Sequence, residues 1–169
     1  KIYIYPFTSL SCKDIDEAVV DKAEKKKLKE QLGISEKFIL IAIGQFIRRK
    51  GFDTLLKAID TKESDLGVYI IGDSEPTNEY VDIIRKKNLK NIHFVEFQKK
   101  DVLNKYYHAA DIFVLPTRED IWGLVINEAM AKGLPVITTY ECVAGCELIE
   151  PGINGWLIHC EDVDMLSKK

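Results

Sequence analysis

The sequence lacks the phosphate-binding patterns of two large classes of nucleotide-binding enzymes. No G-x-G-x-x-G follows a predicted strand, and no G-x-x-x-x-G-K-[ST] occurs in the 169 residues. A nicotinamide-dependent oxidoreductase and a P-loop NTPase therefore have little support. The end of the first predicted core strand also lacks the acidic pair that a phosphoryl-accepting receiver domain would need. Long apolar runs are missing as well, so no segment is predicted to cross a bilayer and we expect a soluble domain.

Cysteine and histidine are too few and too poorly spaced to predict a metal centre or a nucleophile. The cysteines form no C-x-x-C pair, and we expect reduced thiols and a cytoplasmic setting. The histidines lack a Ser, Cys or Asp companion at catalytic spacing and are predicted to be structural. The cysteines are Cys12, Cys142, Cys146 and Cys160, and the histidines are His93, His108 and His159.

One D-x-D pattern, formed by Asp162 and Asp164, is of the kind that binds a metal ion in some enzymes. Here it opens a predicted helix, where acidic residues are stabilised by the helix dipole. We interpret both residues as helix-capping, and we predict no metal site and no cofactor in this chain.

Charge and length limit the function further. The formal net charge of −3 argues against a general nucleic-acid-binding surface. A chain of 169 residues has the length of one α/β domain with a single core. The sequence begins with Lys1 rather than Met, and residues 1–12 suggest a connector or a first strand, so we expect a fragment of a longer protein whose final helix is incomplete.

Short apolar runs alternate with amphipathic segments, which predicts parallel strands with helices on both faces. The expected fold class is α/β, a Rossmann-like doubly wound parallel sheet in three α/β/α layers, formed by one domain over residues 1–169. The predicted strands are Phe38–Ile43, Val68–Ile71, Ile92–Phe97, Ile112–Leu115, Leu134–Thr138 and Trp156–His159. The predicted helices are Asp14–Leu32, Phe52–Asp60, Asn78–Asn88, Val102–Ala110, Gly123–Lys132, a short one near Glu147–Ile149 after an irregular segment, and Asp162–Lys169.

The first predicted helix carries four lysines between positions 25 and 29. Such a run can bind phosphate. Because Glu24 and Glu30 are interspersed among the lysines, we favour a solvated helix face.

The segment from Asp111 to Thr139 organises the rest of the chain. Its two strands flank a loop, Thr117–Trp122, and a helix that begins at Gly123. Open α/β sheets bind ligands at the carboxyl ends of their strands, where this loop lies. Gly123 lets the backbone approach a ligand, and the N–H groups at the helix start attract anions. Glu128, on the apolar stripe of the helix, must find a hydrogen-bonding partner or lose its charge.

A basic turn forms the second candidate site. Arg48, Arg49 and Lys50 follow the first core strand and precede Gly51, which places positive charge at the same edge of the sheet. A surface loop that is basic by accident explains the cluster equally well. Opposite a helix N-terminus, however, such a cation would hold a diphosphate, and the acid within the helix would accept hydrogen bonds from vicinal hydroxyls.

With these residues in place, the chain resembles the C-terminal, donor-binding domain of retaining GT-B glycosyltransferases, the glycosyl transferases group 1 family. The resemblance covers nearly the whole chain. It is strongest in DIFVLPTREDIWGLVINEAMAKGLPVITT, which is similar to the family's acidic loop followed by F-G and E-A-M-A-x-G-x-P-V. The segments IGQFIRRKGFDTLLKAI, IIGD, HAADIFVLPT and ELIEPGINGWLI also follow the family's pattern.

The resemblance implies one half of an enzyme that transfers a sugar from a UDP- or GDP-linked donor to an acceptor hydroxyl. The anomeric configuration would be kept, no metal would be obligatory, and the product would be a polysaccharide or another glycan. A glycan or lipid-linked acceptor would bind an N-terminal domain outside this chain, so the chain alone would bind the donor and transfer little or no sugar. The full-length enzyme is expected in the cytoplasm, and peripheral association with the inner face of the membrane is left open.

The resemblance also implies roles for the acidic residues. Glu128 matches the second acid of the family's E-x7-E pair, which binds the ribose of the nucleotide. Asp120 stands where the family has the first Glu, which contacts the transferred sugar. Glu119 is an alternative sugar contact if the loop shifts, and Trp122, in the same loop, is also a candidate sugar-binding residue.

For the donor diphosphate, the family uses an Arg after the strand-ending Gly and a Lys before the next Gly. The Lys matches Lys50, but the Arg position holds Gln45, so we expect Arg49, or less readily Arg48, to supply the missing charge. The candidate catalytic residues are then Lys50, Arg49 and Asp120. The backbone amides that would face the phosphates are those of Gly123, Leu124 and Val125. The loop expected at the nucleobase comprises Val95, Glu96, Phe97 and Gln98.

Two alternatives stay open at this point. One is a nucleotide-sugar-binding module without a catalytic role, because Gln45 and Asp120 replace the family's usual residues. The other is an α/β interaction domain with no nucleotide site, which the predicted sheet alone would allow.

Overall fold

A computed structural model describes residue 10 and residues 20–60 and 65–169 of the chain. Within these ranges, six strands form one sheet in the order β3-β2-β1-β4-β5-β6, and all neighbouring strands are parallel. The strands are β1 Phe38–Ile43, β2 Leu66–Ile71, β3 Ile92–Val95, β4 Ile112–Leu115, β5 Val136–Thr139 and β6 Gly155–Ile158.

Seven α-helices in the described ranges cover the two faces of this sheet. They are α1 Lys22–Leu32, α2 Phe52–Ala58, α3 Asn78–Lys87, α4 Lys100–Ala109, α5 Leu124–Ala131, α6 Val143–Leu148 and α7 Val163–Lys168. Helix α2 packs against α3 and α7, α1 packs against α4, and α5 packs against α6. This is the Rossmann-like α/β fold that the alternating sequence pattern predicts.

The central strands owe their continuous apolar sequences to burial on both faces. Every residue of β1 after Phe38 is buried, and so is every residue of β2 after Leu66. Parallel strands covered by helices on both sides have no solvent-facing side, which is why FILIAI and LGVYII show no polar alternation.

The order of the strands reverses between β1 and β4. From β1 the chain builds outward through β2 and β3, and it then returns to pair β4 with the opposite side of β1. The loops after β1 and β4 therefore leave the sheet side by side and open a crevice at its carboxyl edge, where doubly wound sheets bind their ligands. The candidate site lies in this crevice.

Several predicted boundaries differ from the observed ones by two residues or more, and two of them lie beside the candidate site. Strand β3 ends at Val95 instead of Phe97, whose side chain is 76% exposed and belongs to the following loop. Helix α6 begins at Val143, within a segment that was predicted to be irregular. Its first N–H groups are satisfied by carbonyls of the loop after β4, and such a distant partner cannot be read from local sequence.

Helix α1 also starts later than predicted. Asp21 caps it by accepting a hydrogen bond from the backbone N–H of Glu24 at 2.8 Å, so the helix begins at Lys22 and not at Asp14. Most of the predicted first turns, and the expected connector at residues 1–12 apart from Leu10, lie outside the described residues.

The lysine run of α1 is a solvated face only in part. Lys26 and Lys27 are exposed, as predicted, but Lys25 donates to the Asp111 carboxylate at 2.5 Å. Lys29 lies 3.9 Å from the other oxygen of Asp111, and its side chain is only 15% exposed. The prediction is therefore wrong for Lys25 and Lys29, because both pair with the carboxylate of Asp111 at the start of β4.

The structural interpretations of the histidine and D-x-D residues agree with their contacts. His93 Nε2 lies 2.6 Å from a carboxylate oxygen of Glu36, His159 packs against the ring of Tyr140, and Asp162 caps α7. The three cysteines in the described ranges are free thiols, and Cys12 lies outside them. The described residues contain no helix that is both long and apolar enough to cross a membrane, and no cluster of three potential metal ligands.

Candidate functional site

The loops after β1 and β4 are joined by close backbone contacts. The carbonyl oxygen of Arg49 accepts hydrogen bonds from the Arg118 N–H at 2.7 Å and from the Thr117 hydroxyl at 2.9 Å. Gly51 has a positive φ of 70°, and a Cβ there would lie 1.9 Å from the carbonyl oxygen of Pro116. Only glycine permits this approach, which brings the basic turn against the acidic loop.

The most direct contact between the two loops is an ion pair. The Lys50 ammonium donates to Oδ2 of Asp120 at 2.5 Å, and the two side chains are 13% and 12% exposed. A charge-assisted hydrogen bond with so little water contact is stronger than an ordinary surface pair. The sequence analysis placed both residues in the site, and the structure brings them together.

Lys50 and Asp120 line an open cleft of about 540 Å³ together with residues 121–125. Gly123 has φ 92°, and a Cβ there would lie 2.6 Å from the thiol of Cys142. Helix α5 begins at the next residue, and no side chain caps it. The first turn of a helix leaves its N–H groups without intrahelical acceptors, so this helix start offers donors for an anion in the cleft.

The acidic loop is held by the segment that leads into α6 and by the first turn of that helix. The Asp120 N–H donates to the carbonyl of Glu141 at 3.0 Å, and the Trp122 carbonyl accepts from the N–H of Ala144 at 2.8 Å. The Trp122 indole donates to the Asn127 side chain at 2.8 Å. These contacts fix the backbone on both sides of exposed Ile121. Sequence reasoning missed the 141–144 segment, because its contribution is made through backbone groups.

A second cleft of about 320 Å³ lies at the ends of β1 and β2. The methylene groups of Lys50 lie 3.4–3.5 Å from where a Cβ would stand on Gly44, which lines this cleft. The stem of Lys50 therefore runs beside the second cleft while its ammonium lines the first. Gln45 also lines the second cleft, and its amide donates to Asp73 at 3.1 Å.

The four residues expected at the nucleobase divide into two pairs. Phe97 and Gln98 line the second cleft. Val95 is the last residue of β3, and its carbonyl accepts from the Gly72 N–H at 3.0 Å. The carbonyl of Glu96 accepts from the Gln98 amide at 2.9 Å.

Glu128 has the hydrogen-bonding partner that a carboxylate at its position requires. Its Oε2 accepts a hydrogen bond from the Tyr107 hydroxyl at 3.0 Å, and the carboxylate is half-buried. Burial, together with the nearby carboxylate, raises the pKa of Tyr107 well above its ordinary value, so the phenol remains a donor. Glu128 is not among the side chains that line the larger cleft.

The remaining predicted residues of the two loops point elsewhere. The Arg49 guanidinium donates to the carbonyl of Glu119 at 3.1 Å, and Arg48 and Glu119 are exposed. None of the three lines either cleft in this structure.

Arg118 turns away from both clefts and pairs with Asp53, a residue that sequence reasoning missed. Its guanidinium donates to both carboxylate oxygens of Asp53, at 2.8 and 2.9 Å. Burial alone would raise the pKa of Asp53, but the hydrogen bonds from Arg118 and Lys57 outweigh it and lower the pKa to about 2. Arg118 also donates to Glu161 at 2.6 Å. No local motif marks Asp53 or Glu161 as its partners.

The chain matches a known family over most of its length. Residues 24–169 fit the family described as Glycosyl transferases group 1. Two curated relatives are each 32% identical to the chain. One is an uncharacterized 41.2 kDa protein in the cps region of Klebsiella pneumoniae, aligned over 148 residues, which are 85% of this chain and 39% of that protein. The other is N-acetyl-alpha-D-glucosaminyl L-malate synthase of Bacillus anthracis, aligned over 156 residues, 88% and 39% of the two chains.

Solved structures show the same fold. The C-terminal domain of the group 1 glycosyl transferase LpcC from Francisella tularensis has a TM-score of 0.80 and 23% identity, over 92% of this chain and 84% of that one. Anabaena HepE, solved with UDP and glucose, has a TM-score of 0.79 and 22% identity, over 99% and 45%. The chain spans about two fifths of the length of the curated relatives it matches. It belongs to the glycosyl transferases group 1 family, and its fold is that of the C-terminal domain of a GT-B glycosyltransferase.

Proposed function

We propose that the chain is the donor-binding domain of a retaining glycosyltransferase that uses a UDP- or GDP-linked hexose and acts in glycan biosynthesis. One observation carries the proposal: a lysine and an uncapped helix start converge on one cleft at the strand-order reversal. Lys50 comes from the loop after β1, and the start of α5 comes from the loop after β4. Such a pairing of a cation with helix N–H groups suits a diphosphate.

The same groups can promote the reaction. Breaking the bond between the sugar and the diphosphate places growing negative charge on the diphosphate. Lys50, Leu124 and Val125 line the cleft where that charge would develop, and the Lys50 ammonium and the two backbone N–H groups are the groups that would meet it. They would stabilise it more in the transition state than in the ground state, and that difference accelerates the reaction.

Asp120 is placed to hold the sugar. It lines the same cleft, and its Oδ2 bonds to Lys50. A carboxylate has about four acceptor sites on its two oxygens, so capacity remains for a sugar hydroxyl. Asp120, rather than exposed Glu119, is therefore the sugar-binding acid in this proposal, and Trp122 completes the wall of the cleft.

The nucleoside is assigned to the second cleft. Phe97 and Gln98 line it, and exposed Phe97 offers an aromatic face for a base. The stem of Lys50 lies between the two clefts, so one diphosphate could extend from the nucleoside to the sugar. The complex of Anabaena HepE with UDP and glucose supports a nucleotide-sugar donor. The family resemblance implies Glu128 as the ribose acceptor, but Glu128 lines neither cleft in this structure, so a bound nucleoside would have to extend beyond the second cleft to reach it.

Isothermal titration calorimetry tests the proposal with UDP, GDP and ADP and with their glucose conjugates. We expect one of the UDP or GDP series to bind, and a ligand at 100 times its Kd to stabilise the chain by roughly 2.7 kcal/mol against thermal unfolding. The variant Lys50→Met should weaken binding by about 10- to 100-fold, because a charge-assisted hydrogen bond is worth roughly 1.5–3 kcal/mol. Lys26→Met, on an exposed face of α1, is the matched control. No binding of any of these ligands at millimolar concentration would refute the proposal.

A non-catalytic nucleotide-sugar-binding module is the second candidate. The observation that favours it is Gln45, which stands beside Asp73 in the second cleft where the family resemblance implies an arginine. Less neutralisation of the leaving diphosphate would slow transfer more than binding. Assays of the full-length protein for transfer and for donor hydrolysis separate the two functions, since a module would bind a donor without turnover.

A further inference from the structure

Arg118 connects the loop after β4 with three other parts of the chain. Its guanidinium forms a two-pronged pair with Asp53 on α2 and donates to Glu161 before α7. The side chain of Arg118 is 17% exposed, and that of Asp53 is 5% exposed. A planar guanidinium bound to both oxygens of a carboxylate is fixed in direction as well as in distance.

The same arginine also forms two hydrogen bonds with the basic turn. Its Nη1 donates to the carbonyl of Arg48 at 2.6 Å, and its backbone N–H donates to the carbonyl of Arg49 at 2.7 Å. These are the two residues immediately before Lys50 in a single 3-10 turn. Arg118 therefore holds the turn through its side chain and through its backbone.

The location of Asp53 explains why these hydrogen bonds fix the position of Lys50. Asp53 lies in the first turn of α2, directly after the basic turn, while Arg118 lies in the loop after β4. The pair therefore joins the chain just after residues 48–51 to the loop after β4. Together with the close approach of Gly51 to Pro116, this pair holds the basic turn near the loop that carries Asp120, which lies two residues beyond Arg118 and accepts from the Lys50 ammonium.

We propose that Arg118 is a positioning residue for Lys50: it touches no ligand, and it sets the place of the ammonium that binds the donor diphosphate. The effect on ligand binding rests on the function proposed above. The effect on the turn itself does not.

Calorimetry with UDP and GDP on the chain carrying Arg118→Lys tests the inference, because lysine keeps the charge and loses the planar fork. We expect affinity to fall about tenfold, which corresponds to roughly 1.4 kcal/mol and to partial loss of the charge-assisted bond between Lys50 and the diphosphate. Glu161→Gln removes the charge from a partner of Arg118 that does not belong to the turn, and Lys57→Met removes the other cation on Asp53. Both controls should stay within twofold of the unmodified chain. An Arg118→Lys affinity also within twofold would overturn the inference.

A double-mutant cycle separates positioning from general destabilisation. In a Lys50→Met background, Arg118→Lys should have no further effect on affinity, because the group that it positions is gone. A tenfold loss that persists in that background would overturn the inference.

Amide hydrogen exchange supplies a readout that needs no ligand. The Lys50 and Gly51 N–H groups donate to the carbonyls of Ile47 and Arg48 within the turn. We expect their exchange to be at least tenfold faster in Arg118→Lys than in Glu161→Gln, and equal rates would overturn the inference. If the unmodified chain binds no nucleotide, the proposed function fails, and this measurement still decides the role of Arg118.

Discussion

Lys50 and Asp120 neutralise each other in the larger cleft, so a diphosphate must compete with Asp120 for the ammonium. We predict that Asp120→Asn tightens binding of UDP or GDP alone by about fivefold, equivalent to ~1 kcal/mol. The same change should reduce the additional affinity that a sugar gives, because the amide keeps only one acceptor oxygen and carries no charge. Calorimetry with the nucleotide and with its sugar conjugate measures both quantities.

Asp120→Glu is the matched control for this prediction, since it keeps the charge and restores the family's side chain. It should leave nucleotide affinity near that of the unmodified chain. Weaker nucleotide binding by Asp120→Asn would show that the carboxylate holds Lys50 in place instead of competing for it.

The ionisation of the Asp53 carboxyl makes the free energy of unfolding depend on pH in the acidic range. Its pKa is about 2 in the folded chain and near 3.8 in the unfolded one, so the unfolded state binds a proton first as the pH falls. The stability contributed by the ionised form is complete above about pH 5 and is lost as the pH falls through 4 to 2. Between pH 6 and pH 2 we expect a loss of about 2 kcal/mol from this group alone.

Urea unfolding of the unmodified chain and of Asp53→Asn at several pH values isolates this contribution. The variant should be less stable at pH 6, and its stability should fall by about 2 kcal/mol less on acidification. Parallel pH profiles for the two proteins would contradict the assignment of the low pKa to Asp53.

At the scale of elements, the approach of two loops depends on Gly51. Gly51→Ala would place a Cβ 1.9 Å from a backbone carbonyl, and no rotamer change can relieve that clash. Gly33, at the end of α1, has nearly the same φ of 69° but no atom within 4 Å of the added Cβ. We predict a loss of about 1 kcal/mol for Gly33→Ala, from left-handed strain alone, and about 3 kcal/mol or more for Gly51→Ala.

Thermal unfolding and nucleotide binding of the two variants should therefore differ. Gly33→Ala should bind nucleotides normally, whereas folded Gly51→Ala should bind weakly because its loops are forced apart. Equal destabilisation by the two substitutions would show that the close approach at Pro116 contributes nothing beyond strain.

The strands and most helices could be predicted from local sequence because their signals are local. Runs such as FILIAI report burial on both faces, and Gly33 and Asn88 mark helix ends through left-handed backbone. The start of α6 could not be predicted, because the carbonyls of Asp120 and Trp122 that receive its first N–H groups lie about 20 residues earlier.

The residues of the site divide in the same way, into those that local sequence identifies and those that it does not. Lys50, Asp120 and Gly123 could be found because each stands at a strand exit in a residue pattern with a chemical purpose. Asp53 and Arg118 could not be recognised as a pair, since they are 65 positions apart and neither contacts the cleft. Arg118 belongs to the loop that the sequence places at the ligand-binding edge of the sheet. Its inward direction is set by a buried carboxylate on another helix.

At the scale of the whole molecule, both clefts open at one edge of the sheet, and the chain spans about two fifths of its curated relatives. We predict that the chain alone binds a nucleotide sugar without transferring the sugar, because the acceptor is expected on another domain. Incubation with the preferred labelled donor and chromatography of the products measures transfer, with the full-length protein as the positive control. Transfer by the chain alone would place the acceptor site within these residues.

The pairing of β1 with β4 joins residues about 70 positions apart, and the Lys50–Asp120 contact spans the same 70 positions. During synthesis, β1, β2 and β3 can assemble as a block before β4 has been made. The two walls of the larger cleft meet only after the second half of the sheet has docked, since such long-range contacts form late. Nucleotide binding during refolding should therefore report the last step of assembly, the closure of the sheet across its centre.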